Sequence, residues 1–377
     1  MSRASVAVIV GTRPEVIKMA PVVLALRQSS AFRPILVSTD RHRLDQALAV
    51  FDLEPDYDLE LMAPSPTISD LTARTLGSIG RVLDEIDPAW VLVQGDTTTA
   101  FAAGLASLSA NIPVAHVEAG LRSGHRFSPY PKEINRRMID QLAELLFAPT
   151  SDAAARLLRE GFAPSTVHVT GNTVVDALLA VRRRLHDNPV AVPGLDEQRA
   201  EGKRIVLVTT HRPESVGSQF AEISQALREI ARDTPDVLIV YPVHLDPDID
   251  GPVRRMLAMD NRILLLPPLP YLEFISLLER CTLVLTDSGG VQEEAPTFGK
   301  PILVLREVTE HPEGIEAGIA RLVGTSASVI RRDATQLLRD PRAYHAMAAA
   351  VNPYGDGTAS RQIVTYLERW SLESKAA

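Results

Sequence analysis

The stretch Leu283-Val284-Leu285-Thr286-Asp287-Ser288-Gly289-Gly290-Val291-Gln292-Glu293-Glu294-Ala295 reads as a buried strand, a tight glycine turn and the first turn of a helix. That sequence of elements gathers free backbone N–H groups and the positive end of a helix dipole at one point, which suits a phosphate. Two glutamates close behind would weaken a bare phosphate site. They make sense if one of them grips something else, and ribose hydroxyls are the usual partner in nucleotide sites. The stretch therefore points to a nucleotide that carries a sugar.

The same strand-then-helix pattern repeats along the chain. Apolar, β-branched runs occur at Val6–Val10, Pro34–Val37, Trp90–Val93, Pro113–Val117, Val167–Val169, Ile205–Val208, Val237–Val240, Ile263–Leu266, Leu283–Leu285 and Ile302–Leu305. Runs this apolar fit strands covered on both faces of a parallel sheet. Helical patterns lie between them, as at Val16–Leu26, Leu71–Ile86 and Phe220–Ala231. The class is α/β, doubly wound. The alternation weakens once, between Arg182 and Lys203, where Pro189, Pro193 and Gly194 fall among mixed charges; this is the best candidate for a domain boundary. Two such sheets would turn the carboxyl ends of their strands to a central cleft, where ligands bind in open α/β sheets.

At 377 residues the chain is long enough for two full cores. A net charge of −8 argues against binding nucleic acid or an anionic membrane, so a phosphate site has to be local. The single cysteine, Cys281, excludes an intrachain disulfide or a multi-Cys metal site, and packing is the expected role for it. No apolar run is long enough to span a bilayer, and the early Val6–Val10 run stops without a cleavage pattern, so a cytoplasmic protein is expected.

Several strand ends carry chemistry. Gly11-Thr12-Arg13-Pro14-Glu15 follows the first strand, with Pro14 suited to a first helical turn. Arg13 and Lys18 are either anion contacts or ordinary solvated cations. The segment matches neither G-x-G-x-x-G nor a P-loop. Asp96, in Gln94-Gly95-Asp96-Thr97, is either a helix cap or a catalytic acid. Glu118 leaves the next strand beside Gly120, and two acids at consecutive strand ends favour function. His211 follows the first strand of the second half, and His244 repeats that placement. Without an acidic or Cys cluster at ligand spacing they make no metal site.

With these pieces in order the chain resembles the non-hydrolysing UDP-N-acetylglucosamine 2-epimerases. The resemblance is carried by GTRPEVIKMAP, QGDTTT, HVEAGLRSG, SPYPKEINR, TGNTVVDAL, THRPES, YPVHLDP, LTDSGGVQEEAPTFGKP and NPYGDG, in the family's order over nearly the whole chain. It implies two Rossmann-like domains in the glycosyltransferase-B arrangement, residues 1–172 and 173–357, with helix 358–377 returning to the first, and a homodimer. It implies interconversion of UDP-N-acetylglucosamine and UDP-N-acetylmannosamine by elimination and re-addition of UDP through 2-acetamidoglucal, with no cofactor. By motif, Asp96 and Glu118 become the acid/base candidates and His211 a support for departing UDP. Arg13, Lys18, Arg122 and His244 fall at substrate contacts, Ser288, Gly289 and Gly290 at the diphosphate, Glu294 at the ribose and Phe274 at the uracil.

The chain also departs from that family's pattern. Lys132, in Pro131-Lys132-Glu133, stands where a functional glutamate is usual, and Glu133 cannot replace it because adjacent helical residues point about 100° apart. Lys132 is thus a candidate acid, a hold on the leaving group, or a plain solvated lysine. His311 stands where the family has an arginine. Arg41, Pro213 and the segment Ala63–Thr67 lack the signature of a second UDP-sugar site, so activation by substrate is expected to be absent. Lys132 keeps a hydrolysing 2-epimerase open as an alternative, alongside a catalytically impaired UDP-sugar-binding homologue.

Overall fold

The structure, a computed structural model, describes residues 3–61, 67–127, 129–210 and 218–376. It divides into two compact units, Met1–Ala180 with Tyr354–Ala377, and Val181–Pro353.

The first unit is built on a parallel sheet of seven strands: β1 (Ala4–Val10), β2 (Phe32–Ser38), β3 (Tyr57–Asp58), β4 (Trp90–Gln94), β5 (Val114–Val117), β6 (Leu145–Ala148) and β7 (Val167–Val169). Their order is β3-β2-β1-β4-β5-β6-β7. The central strands β1, β4 and β5 are buried along nearly their whole length. Helices cover both faces, which is why these strands read as unbroken apolar runs. The chain winds outward in one direction from β1 and in the other from β4, so the topological switch lies between those two strands.

The helix Ala359–Ala376 completes this unit. Its first turn is capped by Asp176, whose carboxylate accepts from the backbone of Ala359 and Ser360 and from the Ser360 hydroxyl. Burial pushes the Asp176 carboxyl above its ordinary value, against the pull of those hydrogen bonds. Further along the helix, Trp370 meets Trp90 edge-on at 4.6 Å between centroids.

The second unit holds six parallel strands: β8 (Arg204–Thr209), β9 (Val237–Pro242), β10 (Ile263–Leu266), β11 (Leu283–Thr286), β12 (Ile302–Val304) and β13 (Ala320–Leu322). Their order is β10-β9-β8-β11-β12-β13, with the switch between β8 and β11. Cys281 is buried beside β11 with its thiol on the Leu278 carbonyl, and burial pushes its pKa up to about 12. It packs, as expected, and is not a nucleophile.

The α/β class and the paired doubly wound sheets follow the sequence. Three strands were not among the runs read from it: β3, β6 and β13. β6 is Leu-Leu-Phe-Ala, with no β-branched residue, directly after the helix Lys132–Leu142. Such a run reads as more helix until the sheet claims it. Among the described residues no helix is long and apolar enough to cross a membrane.

Candidate active site

In the first unit the carboxyl ends of β1, β4 and β5 carry Glu15, Asp96 and Glu118, and the helices Arg13–Gln28 and Lys132–Leu142 bring cations to the last two. Thr12 caps the helix Arg13–Gln28, with Pro14 in its first turn. Glu15 then turns back under the loop, where it accepts from the Gly11 backbone at 2.8 Å, the Thr12 hydroxyl at 2.9 Å and the Thr97 hydroxyl at 2.6 Å. Burial raises its pKa even so. Thr97 caps the helix Thr98–Ser109, so Glu15 ties the ends of β1 and β4 together. This acid was not among the residues singled out from the sequence, where it looked like an ordinary first-turn glutamate.

Asp96 follows β4. Its carboxylate is gripped by Arg136, and its backbone carbonyl accepts from the Asn135 amide at 3.0 Å. The ammonium of Lys132 lies 3.8 Å from its other oxygen. All three partners sit on the helix Lys132–Leu142, at a spacing that gathers them on one face. Arg136 also binds Glu133, at 3.2 Å. Glu133 itself is fully buried, accepting from Ser123 and from Arg137. Burial favours its neutral form, but the Ser123 N–H and the two guanidiniums outweigh that and lower its pKa. It faces Ser123 and not the Lys132 position, as the helical angle requires. Spacing could have revealed Arg136, one turn after Lys132.

Glu118 follows β5 and pairs with Lys18, which reaches it from the helix Arg13–Gln28. Both side chains are nearly buried, at 10% and 12% exposure. Glu118 has φ +70°, a left-handed conformation that costs a non-glycine residue about 1–2 kcal/mol. Strain of this kind is kept where the surroundings impose it, typically at functional sites. Arg13, by contrast, is exposed, with its Nε donating to the Arg43 carbonyl. Arg122 is held by Glu160 in a two-point contact and by Asp140 at 2.7 Å, so it acts as a clasp within the unit.

In the second unit Ser288 caps the helix Gly289–Glu294 without a side-chain cap bond. Neither Gly289 nor Gly290 has positive φ, so the expected glycine turn is instead a helix start. At Gly289 a Cβ would stand 3.0 Å from His311 Nε2, tighter than an ordinary contact, so the imidazole would have to give way to any larger residue. The other ring nitrogen of His311 lies 3.6 Å from Glu293. Phe274 and Tyr271 are one turn apart on the helix Tyr271–Arg280. The Tyr271 hydroxyl is buried with no hydrogen-bond partner among the described residues. Burial drives its pKa well up and the nearby charge of Glu294 adds to this. His244 is exposed, its Nδ1 accepting from the Asp246 backbone. His211 and Pro213 lie outside the described residues, as do 62–66 and Ser128.

A family model described as UDP-N-acetylglucosamine 2-epimerase matches residues 24–368. The UDP-N-acetylglucosamine 2-epimerase of Yersinia pestis is 48% identical over 363 residues, 95% of this chain and 96% of its own. The crystal structure of the Neisseria meningitidis UDP-GlcNAc 2-epimerase bound to UDP-GlcNAc superposes with a TM-score of 0.88 at 40% identity, covering 97% of this chain and all of that one. A Listeria monocytogenes structure assigned to the same activity gives a TM-score of 0.92 at 42% identity, with 99% and 98% covered. The family model covers all of the second unit's sheet and six of the seven strands of the first, and the relatives cover 95% or more of the chain: the chain belongs to the UDP-N-acetylglucosamine 2-epimerase family.

Proposed function

We propose that the chain interconverts UDP-N-acetylglucosamine and UDP-N-acetylmannosamine, as an isomerase. One observation carries the reading beyond family membership. Asp96 and Glu118 end neighbouring parallel strands, and each carboxylate is gripped by a cation from a different helix, Arg136 and Lys18.

The chemistry asks for this. The proton on C2 of the sugar is not next to a carbonyl, so its removal alone is too costly. Removal is coupled to loss of UDP from C1: the C2–H electron pair forms the C1–C2 double bond of 2-acetamidoglucal, and the C1–O pair leaves with UDP. In the return step UDP oxygen attacks C1 and C2 takes a proton on the opposite face. Electrons balance without a redox cofactor. Two faces need two proton-transferring groups, and Asp96 and Glu118 are the pair assigned to them. Ser288, Gly289 and Gly290 are assigned to the diphosphate, Glu294 to the ribose and Phe274 to the uracil. The relatives favour this outcome over hydrolysis to free N-acetylmannosamine.

The active form is proposed to be a homodimer, checked by sedimentation, and to lack substrate activation. Arg41, where the resemblance would require glutamine, is exposed and tied to Asp45. A sigmoidal dependence of rate on UDP-N-acetylglucosamine would overturn the last point. The function itself is tested by incubation with UDP-N-acetylglucosamine in D₂O, followed by NMR. Deuterium at C2 together with UDP-N-acetylmannosamine is the expected result. Free N-acetylmannosamine, or no exchange, would overturn it.

A further inference from the structure

Beneath the Asp96–Glu118 pair lies a buried polar cluster that the reaction scheme does not use. His116, fully buried in β5, has Nδ1 2.7 Å from Asp140 and Nε2 2.8 Å from the Gly95 carbonyl. Asp140 is itself fully buried and salt-bridged to Arg122, which Glu160 holds from outside. A buried, satisfied histidine is ordinarily just part of a core. This one is set apart by what it ties together.

Gly95 is where β4 leaves the sheet. Its N–H still donates to the Val117 carbonyl at 3.0 Å, as the last rung of the ladder with β5. Its own carbonyl has no strand partner and turns, at φ +73°, to the His116 ring. A carbonyl can only accept, so Nε2 carries the proton and donates. That bond fixes the Gly95–Asp96 peptide plane. Asn135 fixes the next carbonyl and Arg136 the carboxylate, so both carbonyls and the Asp96 carboxylate are held from β5 or from the helix Lys132–Leu142. Two residues after His116 the same strand delivers Glu118, and a Cβ at Gly95 would stand 4.0 Å from the Glu118 carboxylate.

We infer that His116 is a positioning residue: backed by Asp140, it donates to the Gly95 carbonyl and so sets Asp96 relative to Glu118 for proton transfer. The inference rests on the assignment of those two acids above. It predicts that the hydrogen bond to Gly95 matters for turnover more than the bond to Asp140, and more than the volume of the ring.

Two variants separate these roles. In His116→Gln the side-chain amide can reach the place of Nε2 and keep the donor to Gly95. In His116→Asn the shorter amide reaches only toward Asp140. The expected result is kcat down by about 30-fold or more in His116→Asn and within about fivefold of wild type in His116→Gln, with KM changed less than about threefold in both. Thermal melts are run alongside. Equal losses of kcat in the two variants, or losses that simply follow the fall in Tm, would overturn the inference. If His116→Asn does not fold, His116→Gln decides alone: activity near wild type supports the role, and a loss beyond about 100-fold refutes it. Wild-type activity in the same assay shows separately whether the epimerase reading stands.

Discussion

Lys132 Nζ stands 3.8 Å from one oxygen of Asp96 while Arg136 grips the other. The two cations are not equivalent. The Lys132 side chain is 56% exposed and the Arg136 side chain 7%. An exposed ammonium is screened by water, and its ion pair is worth little. Lys132 is therefore expected to add little to the hold that Arg136 has on Asp96.

Asp96→Asn is accordingly expected to lower kcat by about 10²–10⁴, the usual cost of losing an acid/base group. Lys132→Met should lower it by less than about tenfold and shift stability by no more than about 0.5 kcal/mol. Both are read from initial rates and urea unfolding. Equal damage from the two substitutions would make Lys132 a proton donor in its own right.

The nearly buried Lys18–Glu118 pair behaves differently. Glu118→Gln removes a carboxylate from a poorly solvated ammonium, and the expected cost is about 1–3 kcal/mol of stability together with loss of turnover. Adding Lys18→Met should restore part of the stability, because the nearly buried ammonium that faced the carboxylate goes with it, while turnover stays lost. A double variant no more stable than Glu118→Gln would mean that the pair contributes nothing as a pair.

Sequence and structure agree where side-chain pattern decides the outcome. β-branched strands covered on both faces announce themselves, and so do acids at the ends of such strands. What stayed hidden depends on three-dimensional proximity. Glu15 looked like a routine first-turn glutamate until Thr97, from a distant strand end, closed over it. His116 and Asp140 are 24 positions apart and meet only because β5 and the helix Lys132–Leu142 pack together. β6 was hidden because leucine and phenylalanine suit a helix almost as well as a strand. The approach of the His311 ring to Gly289 was hidden as well, because His311 comes from a segment 22 positions away and the glycine's own backbone angle is ordinary.

That constraint gives a test of the proposed diphosphate site. A methyl group at Gly289 would stand 3.0 Å from His311 Nε2, whereas at Gly290 it would meet nothing closer than the Ser288 hydroxyl at 3.9 Å. By helix propensity alone either glycine-to-alanine change would stabilise by up to about 1 kcal/mol. Gly290→Ala should realise part of that gain. Gly289→Ala should forfeit it by displacing the imidazole, and should weaken UDP binding by about tenfold, measured by calorimetry. Unchanged UDP affinity in Gly289→Ala would remove that glycine and His311 from the binding site.

Acid stability offers a last check on the same region. Glu310 lies next to His311 and is paired with Arg306 at 2.6 Å, the two side chains being 26% and 15% exposed. Burial favours the neutral acid, but the Arg306 hydrogen bond and charge outweigh it and hold the pKa at about 2, against 4.5 for a free glutamate. A depressed folded pKa means that the unfolded chain binds the proton more readily. The stabilisation is therefore complete above the ordinary glutamate value and is lost as pH falls toward about 2. Solvent screening limits its size to about 1 kcal/mol. Glu310→Gln should lower stability by that amount at neutral pH, and at about pH 3 the gap to wild type should shrink to less than half, because part of the linkage is already gone. Urea unfolding at the two pH values measures both gaps. A gap that stays constant would mean that the Arg306–Glu310 pair contributes no pH-dependent stability, whatever its geometry.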